Sequence, residues 1–267
     1  MANKKDRENQ LHGSQISSDL ILKTLHKNLN FAANEQYKLL RTNLSFTLPM
    51  DEKCHVVGVT SSIRGEGKST TAINLSYVLA ENDKKVLLID GDLRLPSVAK
   101  KMGLKSSPGL TNFLKNDNQC TLDSLKSDIF DNWHIMPSGP LPPNPSELLG
   151  SDRMGELIGH LKNFYDFIIV DLPPVNIVSD ALTISKYVSG MIVVVREEYT
   201  EKKSFNNCIR QLKLSNVKVL GCVMNETSGG KGSYSKYKHG KYYRYYKSYR
   251  SHYGDYYQGT HQEEENK

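Results

Sequence analysis

The sequence predicts an α/β fold with a mostly parallel β-sheet and helices on both of its faces. Two observations predict this fold. Short apolar runs rich in β-branched residues recur along the chain, and segments with helical apolar spacing separate them. The predicted strands cover residues 55–60, 85–90, 133–136, 167–171, 191–195 and 217–225. Strands that alternate with helices in this way are joined by crossovers and build a parallel sheet.

The predicted domain organisation has three parts. Residues 1–30 are polar and poor in aromatic residues, so we expect them to be only partly ordered. Residues 31–228 form the α/β domain, which opens with a helix over about 35–46 and has a further predicted helix over 180–187. Residues 229–267 contain almost no aliphatic side chain, so they cannot build a core and are predicted to be a flexible, disordered tail.

Composition limits the class of protein. The chain has 38% hydrophobic and 24% charged residues, as ordinary globular proteins do. Its cysteines at 54, 120, 208 and 222 are scattered, which argues against a metal site or a disulfide framework. The first residues are polar, and no apolar run approaches the roughly 18 residues of a membrane span. We therefore expect a cytoplasmic protein that reaches the inner face of the membrane only through a partner or a charged patch.

The most informative stretch is residues 61–70, Ser-Ser-Ile-Arg-Gly-Glu-Gly-Lys-Ser-Thr, between the first predicted strand and a helix. A strand, a Gly-rich loop, Lys-Ser and a helix in this order are typical of a loop that binds nucleotide phosphates. Glycines let backbone N–H groups converge on phosphate oxygens, Lys68 can reach the outer phosphates, and the Ser69 hydroxyl can complete a Mg²⁺ shell. The candidate ATP-binding residues of this loop are Ser62, Arg64, Gly65, Glu66, Gly67, Lys68, Ser69 and Thr70.

One position of this loop departs from the general pattern G-x-x-x-x-G-K-[ST]. The chain has Ser62 where the pattern has its first glycine, and we expect the small serine side chain to fit there. The alternative is a Gly-rich turn between strand and helix that binds nothing. The strand before the loop and the helix after it favour nucleotide binding, and the fold is then that of a phosphate-loop NTPase.

Aspartates end two of the predicted strands. Asp90 and Asp92 follow the strand at 85–90 with a spacing of two, which directs both carboxylates to the same side of the sheet. Asp171 ends the strand at 167–171, where a carboxylate near the Mg²⁺ water shell is expected. An Asp-Gly turn and a capping aspartate are the structural alternatives. The phosphate loop upstream favours the ligand-binding interpretation, because the carboxyl ends of parallel strands face the ligand crevice.

The first predicted helix carries an apolar stripe and a charged face. The stripe consists of Tyr37, Leu40, Leu44 and Leu48. Glu35, Lys38 and Arg41 recur at every third position and share the second face. The simplest interpretation of that face is a solvated surface with a weak ion pair within the helix.

The C-terminal segment is dominated by ten tyrosines among basic residues. These are Tyr234, Tyr237, Tyr242, Tyr243, Tyr245, Tyr246, Tyr249, Tyr253, Tyr256 and Tyr257. Three interpretations are open: a low-complexity end, a nucleic-acid-binding segment in which aromatic rings stack on bases, and a set of phosphate acceptors. Phosphorylation adds about −1.5 to −2 charges per tyrosine, so the third interpretation describes a graded electrostatic switch.

Taken together, these features resemble the bacterial tyrosine kinases of capsule and exopolysaccharide synthesis, in the stand-alone cytoplasmic form of Gram-positive bacteria. The matching segments are residues 35–43, 65–70, 88–96, 137–139, 142–149 and 166–174, and the tyrosine cluster completes the set. The resemblance implies a protein-tyrosine kinase that uses ATP and Mg²⁺, phosphorylates its own tyrosine cluster between subunits, and regulates polysaccharide synthesis and export.

The resemblance also assigns roles at the site. Lys68 belongs to the phosphate loop, and Asp90 would accept the proton of the incoming tyrosine, although Asp92 remains a candidate for this role. Asp92 and Asp171, with Ser69, would hold Mg²⁺ directly or through water. Asn225, at the end of the last strand, resembles the residue that reads adenine in related ATPases.

Partners follow from the same resemblance. The family assembles rings through a Glu-x-x-Arg-x-x-Arg helix face, and here Glu35, Lys38 and Arg41 occupy those positions. Lysine in the middle keeps the charge but lacks the bidentate fork of arginine, which predicts a weaker ring. The further expected partners are a membrane adaptor of the polysaccharide co-polymerase type and a cognate tyrosine phosphatase. Nucleic acid is not an expected partner.

Two alternatives belong to other classes of protein. Partition and division-site ATPases share the fold, but typically carry a second lysine early in the loop, where this chain has Ile63. The other alternative is a nucleotide-gated scaffold whose basic tail binds nucleic acid or an acidic surface. Binding to DNA or RNA that persists at physiological salt would distinguish this scaffold from a kinase.

Overall fold

The computed structural model describes residues 28–29, 31–115 and 130–227. The predicted tail with its ten tyrosines and nearly all of the predicted polar segment at 1–30 lie outside these residues. The chain divides into two units, 1–226 and 227–267, and the described residues belong to the first unit apart from Thr227. Within the described residues, no helix is both long and apolar enough to cross a membrane.

Six strands form one parallel sheet. They are β1 (His55–Ser61), β2 (Val86–Asp90), β3 (Trp133–Met136), β4 (Phe167–Asp171), β5 (Gly190–Arg196) and β6 (Val219–Asn225). Their order across the sheet is β3-β2-β4-β1-β5-β6, and each neighbouring pair runs parallel. The predicted fold class is therefore confirmed, and every predicted strand is present within two residues of its expected start.

Helices connect and cover the strands. The described α-helices are α1 (Phe31–Thr47), α2 (Lys68–Ala80), α3 (Val98–Met102), α4 (Leu110–Leu114), α5 (Pro145–Gly150), α6 (Asp152–Leu161), α7 (Asp180–Thr183) and α8 (Lys202–Leu214). A 3₁₀ helix at Ile184–Tyr187 follows α7. The parallel strands need these crossovers, because the end of one strand lies far from the start of the next.

The core lies in two apolar layers, one on each face of the sheet. Alternate residues of a strand point to opposite faces, so Ile168 and Val170 enter one layer whereas Phe167 and Ile169 enter the other. The second layer is covered by α2 and α1, and the first by α4, α6 and α8. The central strands are buried along most of their length, as strands covered on both faces must be.

Helix α1 packs on α2 through the predicted stripe. Leu44 and Leu48 are buried, and Tyr37 and Leu40 pack against the same apolar layer. Arg41 turns toward the domain as well, because its guanidinium donates a hydrogen bond of 2.7 Å to the carbonyl oxygen of Val78 near the end of α2. The helix begins at Phe31, four residues before its predicted start.

One local prediction needs correction, and one short helix was missed. The helix expected over 180–187 is one α-helical turn, α7, followed by a separate 3₁₀ turn. Thr183 and Ile184 meet at this junction, and β-branched side chains disfavour a continuous helix there. Helix α3 was not predicted, because five residues are too few to show helical periodicity.

Candidate phosphoryl-transfer site

The phosphate loop lies where β1 ends and α2 begins, at the carboxyl edge of the sheet. Gly67 is the residue before α2 and has a φ of 92°, in the left-handed region that glycine tolerates. A Cβ atom at Gly67 would also lie 1.8 Å from the amide nitrogen of Asn225. Glycine is therefore required at this position for both conformation and space, and the backbone N–H groups at the start of α2 stay accessible to an anion.

The Glu66 side chain holds the loop from inside. It is fully buried, and its carboxylate accepts the Ser62 hydroxyl at 2.8 and 3.0 Å and the backbone N–H of Ile63 at 2.8 Å. The Thr200 hydroxyl donates to the same carboxylate. Ser62, which departs from the general loop pattern, thus has a partner within the loop. Because the Glu66 carboxylate points inward, any contact of Glu66 with ATP has to come from its backbone.

Lys68 lies among the carboxylates that the sequence singled out. Its ammonium is 2.9 Å from Asp92 Oδ2 and 3.3 Å from Asp171 Oδ1, and it lies 3.3 Å from the hydroxyl of Ser69. Burial by itself would lower the pKa of Lys68, but the charges of Asp171 and Asp92 outweigh it and raise that pKa. Lys68 therefore stays charged and links the phosphate loop to β2 and β4.

Asp90 and Asp171 are paired in register at the ends of β2 and β4, and both are fully buried. Asp90 Oδ2 accepts the backbone N–H groups of Ser97 and Val98 at 3.0 Å each, at the start of α3. Burial, and then the charge of Asp171, raise the pKa of Asp90 to about 7. Burial also raises the pKa of Asp171. The two carboxylates thus lie close together in a buried site, where a nearby cation would stabilise their charged forms.

The donor set fits Mg²⁺ bound through water and phosphate. Asp171 Oδ2 is buried and has no hydrogen-bond partner, and Asp92 and the Ser69 hydroxyl lie around the same lysine. No group of three or more His, Cys, Asp or Glu side chains that could hold a metal by themselves occurs within the described residues. Mg²⁺ commonly binds through one or two carboxylates and keeps water and phosphate as its other ligands, which this arrangement allows.

An open pocket of about 200 Å³ lies beside the loop. Its polar wall includes Arg64, Lys68 and Asp92 from the predicted set, whereas Asp90 is not among its lining residues. Its remaining lining residues are Gly65, Arg94, Leu95, Pro173, Pro174, Ile177 and Val178. Most of these come from the segments that follow β2 and β4, as expected for ligand crevices in parallel sheets.

Arg94 is a site residue that the sequence reasoning missed. Its guanidinium forms a bidentate pair with the fully buried Asp180, at 2.9 and 3.1 Å, and donates to the Ser146 hydroxyl at 3.0 Å. The signal was present in the sequence, since Arg94 lies two residues after Asp92 in the segment that supports the family resemblance. Its partner Asp180 lies 86 positions away, and nothing in the local pattern identifies it.

The other predicted residues lie outside this pocket. Asn225 donates its side-chain N–H to the backbone carbonyl of Glu66 at 3.1 Å, on the β6 side of the loop. Thr70 is half-buried in the first turn of α2. Lys38 forms an ion pair of 3.0 Å with Glu35 on α1, and both side chains keep more than a third of their surface exposed. The ten candidate acceptor tyrosines lie outside the described residues.

Comparison with known proteins agrees with this fold. A family profile described as an AAA domain matches residues 54–220. The septum site-determining protein MinD of Pyrococcus horikoshii OT3, solved in complex with Mg-ADP, superposes with a TM-score of 0.55 at 25% identity and covers 67% of this chain and 72% of its own. The fold and the loop define a nucleotide-binding protein of the phosphate-loop class.

Two further comparisons define the family. The tyrosine-protein kinase YwqD of Bacillus subtilis (strain 168) is 38% identical over 213 residues, which are 80% of this chain and 88% of YwqD. The crystal structure of the chimerical protein CapA2B2 superposes with a TM-score of 0.70 at 33% identity and covers 78% of this chain and 89% of its own. The chain belongs to the bacterial tyrosine kinases of capsule and exopolysaccharide synthesis, and the match over most of YwqD fits the stand-alone Gram-positive type.

Proposed function

We propose that this kinase transfers the γ-phosphoryl group of ATP to tyrosines in the C-terminal tail of a neighbouring copy, with Mg²⁺ as cofactor. The observation that carries the proposal is the cluster of Lys68, Asp92 and Asp171, of which Lys68 and Asp92 line the pocket. A phosphoryl transfer through a loose transition state needs positioning and charge neutralisation more than a strong base. The cluster supplies a cation for the phosphates and carboxylates for the metal.

Each residue of the cluster has a role in this reaction. Lys68 exchanges its carboxylate partners for phosphate oxygens when nucleotide binds. Ser69, Asp92 and Asp171 would hold Mg²⁺ directly or through water, and the ion would neutralise the phosphate charge. The backbone N–H groups of the loop bind the inner phosphates. Asn225, with its position on the β6 side of the loop, is proposed to contact adenine.

Asp90 is proposed to take the proton of the tyrosine hydroxyl as the new O–P bond forms and ADP leaves. A tyrosine hydroxyl has a pKa near 10, and a carboxylate with a pKa of about 7 is a closer match to it than an ordinary aspartate. Asp92 is the competing candidate, because it lines the pocket. If Asp90 is the base, the phosphotransfer rate rises as pH increases through about 7. Asp90→Asn then removes this rise from the pH–rate profile.

Transfer between copies is supported by the charged face of α1. Glu35 and Lys38 keep more than a third of their side-chain surface exposed, and a ring through this face would present each tail to a neighbouring site. A tethered tail has a high effective concentration there. We propose that phosphorylation of the tail regulates polysaccharide synthesis and export, that a membrane adaptor of the co-polymerase type recruits and activates the kinase at the inner membrane face, and that a tyrosine phosphatase resets it.

Mass spectrometry after incubation with ATP, Mg²⁺ and the cytoplasmic segment of a candidate adaptor tests the proposal. The expected result is phosphate on several of the ten tail tyrosines, with more phosphate when the adaptor segment is present. A chain with Lys68→Met serves as the inactive control. Phosphate only on serine or threonine, or no transfer with the adaptor present, would overturn the proposed function.

A further inference from the structure

Two exposed apolar side chains stand at the mouth of the pocket that contains Lys68 and Asp92. Leu95 is 53% exposed and Ile177 is 48% exposed, and both line this pocket. Pro173, which is buried, also lines this pocket. Aliphatic side chains do not bind phosphate. The exposure of Leu95 and Ile177 beside the charged residues therefore indicates a contact with another group.

Both side chains are held on rigid backbone. The Leu95 N–H donates to Asp92 Oδ1 at 3.0 Å, and the preceding Arg94 is fixed by Asp180. On the other wall, the N–H of Ile177 donates to the carbonyl of Pro174 at 3.1 Å. A preformed site on rigid backbone loses little entropy when a ligand binds.

The wall that carries Ile177 is tied to the phosphate loop itself. The Thr60 hydroxyl donates to the carbonyl of Pro173 at 2.8 Å, and the Val175 N–H donates to the carbonyl of Ser61 at 2.9 Å. The Asn176 side chain donates to the carbonyl of Ser204 at 2.8 Å. The wall that carries Ile177 therefore has a fixed position relative to the phosphate loop.

The position of the pair in the sheet separates it from the expected adenine end. Leu95 follows β2, and Ile177 follows β4, so both lie on the β2 and β4 side of β1. Asn225 ends β6, on the opposite side of β1, where it contacts the loop at Glu66. A nucleotide with its base near Asn225 would place its outer phosphates toward Lys68 and Asp92, which leaves the side of Leu95 and Ile177 for the acceptor.

We propose that Leu95, Pro173 and Ile177 form a slot that holds the phenol ring of the acceptor tyrosine and selects tyrosine over serine and threonine. The inference rests on the proposed kinase function and adds its acceptor site. A tyrosine combines a flat apolar ring with a terminal hydroxyl. The ring would contact the apolar residues of the slot, and the hydroxyl would lie near Lys68 and Asp92. Serine and threonine have no ring to fill the slot.

The tail is the source of this ring. It contains ten tyrosines and almost no aliphatic residue, so its tyrosine rings are the large apolar groups that it can offer to such a slot. Its interleaved Lys and Arg side chains would remain in solvent or contact phosphate. The occupant is therefore a tyrosine side chain from the tail of a second copy.

Kinetics with the full chain and the cytoplasmic segment of the adaptor test the slot. The acceptor probe is a peptide of residues 239–250, which includes five tyrosines, and a second peptide carries serine at those five positions. Leu95→Ser and Ile177→Ser are each expected to raise the KM for the tyrosine peptide about tenfold with little change in kcat, because the ring is bound equally in the ground and transition states. The affinity for Mg-ATP, measured by fluorescence titration, is expected to stay within about twofold.

Matched variants make the test specific. Leu95→Met and Ile177→Leu keep the apolar volume and should retain the peptide KM. Leu141→Ser changes another exposed leucine, 64% exposed and outside the pocket lining, and should have no effect. The two slot positions are independent, so a folding failure at one leaves the other as a test.

Three results would overturn the slot. The first is an unchanged peptide KM in both serine variants. The second is a loss of ATP affinity as large as the loss of peptide binding, because the side chains would then belong to the nucleotide site. The third is equal phosphorylation of the serine and tyrosine peptides by the unchanged protein. A failure of the proposed kinase function looks different, since the unchanged protein would then phosphorylate neither peptide.

Discussion

The ammonium of Lys68 lies 3.3 Å from the carboxylate of Asp171, which joins the start of α2 to the end of β4. Asp171 is fully buried and Lys68 nearly so. The same ammonium lies 2.9 Å from Asp92, two residues after the end of β2. One side chain therefore balances two carboxylates and stands at the point where the outer phosphates are expected to bind.

Lys68→Met should abolish phosphotransfer and weaken the fold at neutral pH. We expect activity to fall by at least about 10²–10³-fold, because the main cation for the transferred phosphoryl group is lost. Without the lysine, buried carboxylates lose their partner, so the melting temperature should fall more at about pH 8 than at about pH 5. Radiolabelled ATP and thermal unfolding measure the two effects. Lys84→Met, at an exposed position at the other end of the sheet, should change neither.

Asp90 should make the stability of the domain depend on pH in a defined direction. Its pKa is raised to about 7 in the fold, above a usual value near 3.9, so the folded state keeps this proton longer and stability falls as pH rises from about 4 to about 7. Asp90→Asn removes this titration. The unfolding free energy of Asp90→Asn minus that of the unchanged protein should therefore increase by on the order of 2 kcal/mol from about pH 5 to about pH 8.

Urea unfolding at both pH values checks this prediction for Asp90. Asp83→Asn is a suitable control, because Asp83 is exposed at a φ of 58° that asparagine also tolerates. A difference between Asp90→Asn and the unchanged protein that stays constant with pH would contradict the raised pKa.

Glu66→Ala should loosen the phosphate loop. It leaves the Ser62 hydroxyl, the Ile63 N–H and the Thr200 hydroxyl without their acceptor. We expect a loss of about 2–3 kcal/mol in unfolding free energy and weaker ATP binding. Glu66→Gln keeps one acceptor oxygen and should lose less, whereas Glu156→Ala at an exposed position of α6 should be neutral. Denaturant titration gives the energies, and no difference between Glu66→Ala and Glu156→Ala would refute the role of this carboxylate.

Lys38→Arg should strengthen self-association if the α1 face forms the ring. Lys38 now pairs with Glu35 within the same helix, and arginine adds the planar fork that suits a bidentate contact across an interface. We expect an association constant roughly threefold to tenfold higher, measured by analytical ultracentrifugation at low and high salt. Lys203→Arg on α8 is the matched control. Equal association of the two variants would exclude this face.

Local patterns account for most of the fold. Buried parallel strands are short apolar runs, and Val86–Asp90 and Phe167–Asp171 show this form directly. The loop, Lys68 and the three aspartates could be predicted because a Gly-rich loop between a strand and a helix, and aspartates at strand ends, are local sequence patterns. Their convergence around Lys68 follows from strand order, since β2 and β4 are neighbours in the sheet.

The features that were missed depend on contacts between distant segments. Arg94 meets Asp180 across 86 positions, and Glu66 meets Thr200 across 134, so no local spacing indicates either pair. The apolar slot was missed for a related reason. Leu95 and Ile177 each look like an ordinary exposed residue, and only the fold places them in one pocket.

Phosphate transfer between two copies tests the central claim most directly. One chain carries Lys68→Met and an intact tail, and the other is active but has phenylalanine at all ten tail tyrosines. After mixing with Mg-ATP and an adaptor segment, we predict phosphotyrosine on the Lys68→Met chain, at a rate that rises with the concentration of the active chain. An unlabelled Lys68→Met chain, in a mixture where the unchanged protein labels itself, would contradict transfer between subunits.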